Sequence, residues 1–174
     1  MLLKQSMVDA LNGQVVEEFS AAAQYIAISL YFEDETLPEL AKYFYAQAME
    51  EHEHAMKLLR YISDAGNKPI VPGTKDPKNH FETAEEAVQL ALDQEMKVTN
   101  QINNLVDLAI KENDHLTRQF LQWFVTEQLE EVSTMSDLLN VVKRAGESNL
   151  LLVEDYLARN PRPDLEAGSE AEAT

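Results

Sequence analysis

Glu18, Glu51, His54, Glu95, Gln128 and Glu131 are polar residues set in the middle of otherwise apolar helical seams. The first seam reads Leu11, Val15, Glu18, Ala22, Tyr25, and the second Leu40, Phe44, Gln47, Glu51, His54, Leu58, Tyr61. The third is Ala84, Val88, Ala91, Glu95, Val98, Ile102, Leu105, Ala109, and the fourth Leu121, Phe124, Gln128, Glu131, Met135, Leu138, Val142. Steps of three and four residues keep each set on one helical face. An ionised carboxylate buried without a partner costs several kcal/mol. No Lys or Arg occurs in these seams, so a buried ion-pair network is disfavoured and a bound cation is the expected compensation. Glu51 and His54, three apart, share the core face, whereas His52 and Glu53 point elsewhere. Four carboxylates and one imidazole can hold and bridge a pair of divalent ions, and these donors suit iron or manganese.

Composition narrows the partners. Fourteen Lys and Arg against 31 Asp and Glu leave a net charge of −17, which argues against nucleic acid or anionic membrane and is compatible with attraction of cations. With no cysteine in the chain, any metal must be held by oxygen and nitrogen. The sequence starting Met1, Leu2, Leu3, Lys4 lacks the apolar stretch of a signal peptide, and no run approaches a membrane span of about 18 apolar residues, so a cytoplasmic protein is expected.

The positioning elements are all helical. The first helix is expected over about Leu3 to Glu33 and the second from Pro38 to Ala65, with Pro38 in a first turn and Gly66 as a C-terminal cap. The third begins after Thr83, with Glu86 as its capping-box partner, and runs to Glu112; the fourth follows Asn113 and Asp114 and ends at Ala145 before Gly146. Short joints make each pair an antiparallel hairpin. The stretch Gly66 to Glu82 carries Pro69, Pro72, Gly73 and Pro77 and cannot be helical throughout. Extended, it reaches roughly 55 Å, more than the roughly 45 Å of a 30-residue helix, so it can return along the whole bundle. The expected fold is all-α: a four-helix bundle with one long crossover, its polar clusters meeting at mid-height. A short fifth helix is expected over Ser148 to Asn160, with Ser148 as N-cap and Leu151, Leu152 and Leu157 packing on the bundle end or on a symmetry partner. Residues 1–160 form one domain in this reading, and 161–174 an acidic, disordered tail.

Carboxylate-bridged di-metal bundles of the ferritin-like kind place one Glu on each of two helices and Glu-x-x-His on each of the other two. This chain matches three of the four parts; its fourth helix has Gln128-Leu129-Glu130-Glu131 instead. Three stretches carry a closer likeness: Ala48-Met49-Glu50-Glu51-His52-Glu53-His54, Leu92-Asp93-Gln94-Glu95, and Phe120 to Glu131. With the seam spacing and the fifth helix, the chain resembles a bacterial non-haem ferritin, of the actinobacterial type, over Leu3 to Asn160. The resemblance implies a ferroxidase centre in which Glu18, Glu51 and His54 hold one iron, Glu51 bridges, Glu95 and Glu131 hold the second, and Gln128 stands beside it. It implies that Fe(II) is oxidised by O₂ there and stored as ferric mineral in a hollow homo-oligomeric cage of twenty-four subunits. Gln128 would be a weak ligand of the second iron or orient a water on it, and Tyr25 would supply an electron and a hydrogen bond. Glu50, Glu127 and Glu130 match a third iron position of some bacterial ferritins.

Departures and rivals frame these expectations. Haem-binding relatives carry a Met where this chain has His52 and a His where it has Glu131, so no haem is expected. Animal ferritins line a pore with acids where this chain has Arg118 and Leu121. Gln128 could equally serve a structural hydrogen bond and Tyr25 a core aromatic. His52, His80 and His115 read as surface histidines, Met49 and Met56 as core filler, and Trp123 as packing. The rival functions are a non-catalytic cage subunit and another carboxylate-bridged di-metal oxidase such as a rubrerythrin, whose attached rubredoxin centre zero cysteines exclude.

Overall fold

A computed structural model describes residues 2–161. Five α-helices and one 3₁₀ turn make up its regular structure: α1 (Gln5–Asp34), α2 (Pro38–Asp64), α3 (Ala84–Glu112), α4 (His115–Ala145), the turn Glu147–Asn149 and α5 (Leu150–Arg159). The four long helices agree with the sequence reading to within two residues at each end. The expected tail lies, beyond Pro161, outside the described residues.

Local chemistry accounts for most helix ends. Pro38 opens α2, and Gly66, at φ 77°, closes it by donating its N–H to Ser63 O at 2.9 Å. Thr83 caps α3 by accepting from Glu86 N at 3.1 Å. The return half of the expected capping box differs: Glu86 Oε2 accepts from Glu82 N at 2.7 Å, one residue before the cap. Asp114 caps α4 through Thr117 N at 2.9 Å, and the left-handed Asn113 ends α3 at φ 56°.

The crossover is the extended strap that its prolines demand. It runs up α1, with Ile70 N donating to Asn12 Oδ1, Lys75 N to Ser20 Oγ, and Lys78 exchanging two backbone bonds with the Gln24 amide. Eight residue steps of the strap thus pass twelve steps of helix, about 18 Å of α1, within the reach of extended chain.

The fifth helix corrects the sequence reading. It begins at Leu150 with no side-chain cap, because Ser148 lies inside the 3₁₀ turn. Val153 is its fully buried residue, with Leu150 and Leu157 packing beside it, while Leu151 and Leu152 face outward. Two carboxylates tie this segment to the bundle end. Glu154 accepts from Glu39 N and Leu40 N at 2.7 and 2.9 Å, capping α2, and Glu147 accepts from Ala84 N and Glu85 N at 3.2 and 3.3 Å, capping α3.

The core is divided in two. One apolar cluster contains Ile28, Phe32, Phe44, Val88, Met135 and Val142; the other contains Leu11, Leu58, Ile62, Ile102, Leu121 and Phe124. The polar residues of the four seams fall between them.

Candidate metal centre

Each of the four long helices delivers its mid-seam side chain to one buried layer. Glu18 from α1, Glu51 and His54 from α2, Glu95 from α3 and Gln128 and Glu131 from α4 are all at most 4% exposed. Carboxylate or imidazole atoms of Glu18, Glu51 and His54 lie within 4.8 Å of one another. His54 Nδ1 is 3.4 Å from Glu51 Oε2, and its ring sits edge-on against Trp123 and Phe124. Helical spacing produces this directly: residues three apart on α2 project side by side, and α1 is the antiparallel neighbour of α2.

The electrostatics of this trio disfavour its ionised form in the absence of added positive charge. Burial, and then repulsion from Glu51, push the Glu18 carboxyl well above the usual carboxylate range. Burial, and then Glu95, do the same to Glu51. Gln14 donates to Glu18 Oε1 at 2.9 Å, but no N–H or hydroxyl donor reaches Glu18 Oε2 or Glu51 Oε1. The adjacent Glu17 shows the contrast, since it turns to the strap side and pairs with Lys75 and with Lys97, the latter at 2.6 Å. Glu18 has no basic partner of that kind, so its charge is left to a proton or a metal ion.

The α3–α4 side is built differently. Tyr25, fully buried, donates its hydroxyl to Glu95 Oε1, and the Gln128 amide nitrogen lies 3.2 Å from Glu95 Oε2, Glu95 O and Thr99 Oγ1. Burial raises the Glu95 carboxyl while the bonds from Tyr25 and Gln128 oppose that rise. Burial and the nearby Glu95 hold the Tyr25 phenol well above its ordinary value, so it stays protonated as a donor. Gln47 reaches across from α2 to Glu131 Oε2 at 3.0 Å. The Gln128 amide nitrogen thus donates within the polar layer, and the Tyr25 hydroxyl is held there by Glu95.

A second trio shares His54: atoms of His54, Glu127 and Glu131 also lie within 4.8 Å. Glu127 and Glu50 line an open cavity of about 650 Å³ between α2 and α4, together with Glu53, His54, Lys57 and Trp123. Glu130 is exposed and is not part of that lining, so of the three residues matched to a third position, two share the cavity. Lys57 Nζ lies 3.5 Å above the Trp123 ring, placing Trp123 between a cation and His54. Met49 lines the same cavity and is 43% exposed, contrary to a core-filling role; Met56 is half-buried in the second apolar cluster. His52, His80 and His115 are exposed, with His52 against the Phe19 ring. Leu121 is fully buried and cannot line a pore, whereas Arg118 is exposed.

The sequence reading left out Gln14 as a partner of Glu18 and treated Gln47 only as a seam residue. Gln14 stands four residues before Glu18, and that spacing was the available signal for its bond. The contact from Gln47 to Glu131 crosses between helices and had no local signal.

Comparison with known proteins agrees with this geometry. The chain matches the Ferritin family, described as a ferritin-like domain, over residues 8–145. It is 48% identical over 149 residues to ferritin BfrB of Mycolicibacterium smegmatis, spanning 86% of this chain and 82% of that protein. A bacterial non-heme ferritin of Staphylococcus saprophyticus is 35% identical over 159 residues, covering 90% of this chain and 95% of its own. The open-pore ferritin of the hyperthermophilic archaeon Archaeoglobus fulgidus superposes with a TM-score of 0.86 at 30% identity, over 89% of this chain and 97% of the other. The chain belongs to the ferritin family of iron-storage proteins.

Proposed function

We propose that this protein is a ferroxidase ferritin, which oxidises Fe(II) with O₂ inside each subunit and stores the ferric product in a cage of identical subunits. The observation that carries the reading is the buried Glu18, Glu51 and His54 trio, whose ligand atoms lie within 4.8 Å of one another with open carboxylate lone pairs. Carboxylate and imidazole donors suit Fe(II), and the carboxylates keep their affinity for the harder Fe(III). In this reading Glu18, Glu51 and His54 bind the first Fe(II). Glu51 also faces Glu95 and Glu131, which bind the second, while Gln128 and Gln47 orient those two carboxylates. Two Fe(II) ions give one electron each, and O₂ takes both with two protons, leaving two Fe(III) and hydrogen peroxide. Tyr25 holds Glu95 in position and is an oxidisable side chain bonded to that carboxylate. Ferric ions leave past His54 through Glu127 and Glu50 into the α2–α4 cavity, whose acidic lining extends the path; the exposed Glu130 is its outermost carboxylate.

Assembly is supported by apolar side chains left in solvent on the α1–α2 hairpin: Leu30 and Tyr45 are both 57% exposed, with Ile26 and Met49 beside them in sequence register. A shell of twenty-four copies, each carrying a charge of −17, would concentrate Fe(II) around itself. No helix among the described residues is long and apolar enough to cross a membrane, and the cytoplasm is the proposed compartment. A haem-free cage is proposed, since His52 occupies the position of the haem-ligating Met.

The test is to mix anaerobic protein with Fe(II), admit O₂ and follow ferric absorbance. Wild type is expected to oxidise iron rapidly, with a 2:1 ratio of iron to O₂ in the first phase. Equal, slow oxidation by wild type and Glu51→Ala would falsify the catalytic reading.

A further inference from the structure

We propose that a second cavity, between α3 and α4, is the port through which dioxygen reaches the polar layer, separate from the path of the iron; this rests on the ferroxidase reading above. The cavity holds about 200 Å³ and is lined by Met96, Thr99, Val125, Gln128, Leu129 and Val132 among others. None of its lining side chains ionises. The α2–α4 cavity is charged instead, with Glu50, Glu53, Asp64 and Glu127 in its walls outnumbering Lys57 and Arg60. Both openings end at the same layer: the acidic one at His54, the apolar one at Gln128.

The difference separates dioxygen from iron by charge. A hydrated divalent ion entering the α3–α4 cavity would lose water without meeting a carboxylate to replace it, and that penalty excludes it. Dioxygen is uncharged, weakly hydrated and small, so an apolar recess admits it readily. Gln128 forms the floor at 3% exposure, and its amide lies 3.2 Å from the Glu95 carboxylate. An oxidant arriving here stands one side chain from Glu95, on the flank where the second iron is proposed. Thr99, bonded to the Gln128 amide at 3.2 Å, keeps that floor in place. Val125 and Val132 are half-buried on α4 and form a wall that larger side chains would narrow without touching a site carboxylate.

Two measurements on the assembled protein test the port. Crystals pressurised with xenon, which occupies apolar cavities, are expected to show an anomalous peak between α3 and α4 and none in the acidic cavity. Val125→Phe combined with Val132→Phe is expected to raise severalfold the O₂ concentration giving half-maximal iron oxidation, with the half-saturating Fe(II) concentration unchanged. Val132→Leu provides a milder narrowing, with a smaller shift in the same direction, should the double variant fail to assemble. A cavity without xenon overturns the proposal, as does an unchanged O₂ dependence or a change confined to Fe(II). Failure of the underlying ferroxidase reading looks different: wild-type protein would then oxidise Fe(II) no faster than Glu51→Ala at any O₂ concentration.

Discussion

The two flanks of the polar layer carry the same kinds of side chain and treat them in opposite ways. On the α1–α2 flank, Glu18 and Glu51 each keep one oxygen without a protein donor, and His54 stands beside them. On the α3–α4 flank, Tyr25 and Gln128 bond Glu95, and Gln47 bonds Glu131. Apart from the Gln14 bond to Glu18 Oε1, the first flank offers carboxylate oxygens that no amide or phenol donor occupies, so a cation can enter at Glu18 Oε2 and Glu51 Oε1. The second must loosen bonds it already makes. The expected consequence is unequal affinity, with the first ion bound more tightly than the second.

The largest effect should come from the residue common to both flanks. Glu51→Ala is expected to cut the rapid phase of iron oxidation by more than about 100-fold, beyond what loss of a supporting partner costs a metal site. Stopped-flow absorbance would check it. Gln128→Leu addresses the second flank alone: it should weaken the second Fe(II) by roughly 10-fold and leave the first unchanged in anaerobic titration calorimetry. A loss at the first step instead would break the distinction between the flanks.

Acid–base behaviour sharpens the comparison further. The buried Glu18, Glu51 and Glu95 carboxyls are raised in the folded, metal-free protein above the 4.5 of a free glutamate. The folded state therefore binds their protons more strongly than the unfolded chain does. This contribution to stability is full below about pH 4.5 and is lost as pH rises through the folded values. Metal-free Glu51→Gln should accordingly gain thermal stability relative to wild type as pH is raised from 4.5. Loading with Fe(II) under nitrogen should release protons and reverse the order, because the ion needs the ionised carboxylates. Melting curves of both proteins, with and without Fe(II), read this directly.

The smallest effect serves as a control. Glu154→Gln weakens the cap that ties α5 to α2 and should cost about 1 kcal/mol in chemical denaturation. Neither Fe(II) affinity should move, since Glu154 bonds the start of α2 at Glu39 and Leu40, far along the helix from Glu51.

Much of this was legible in the chain because helices are local objects. Pro38, Gly66, Thr83 and Asp114 mark ends through their own backbone chemistry, and seams with steps of three and four residues fix which face is buried. A carboxylate inside such a seam then announces a site, and four seams interrupted at mid-height announce a shared one. Contacts between elements were less legible. The link from Gln47 to Glu131 depends on how two helices are rotated against each other, which no single seam encodes. Val153 was overlooked because a ten-residue helix rich in leucine offers two apolar faces, and the one with Leu151 and Leu152 is left outward, toward the symmetry partner that was the other expectation for it. Glu147 and Glu154 bond distant helix starts and hold the segment in that orientation. The Glu86 bond to Glu82 instead of Thr83 is a smaller case, decided by a side chain that also pairs with Lys78.

Unequal flanks are best tested by diffraction from crystals soaked anaerobically in rising Fe(II), with anomalous data at the iron edge. A first peak is expected among Glu18, Glu51 and His54 at substoichiometric iron, and a second toward Glu95 and Glu131 only at excess. No metal near Glu51, or a second-flank peak that fills first, would contradict it.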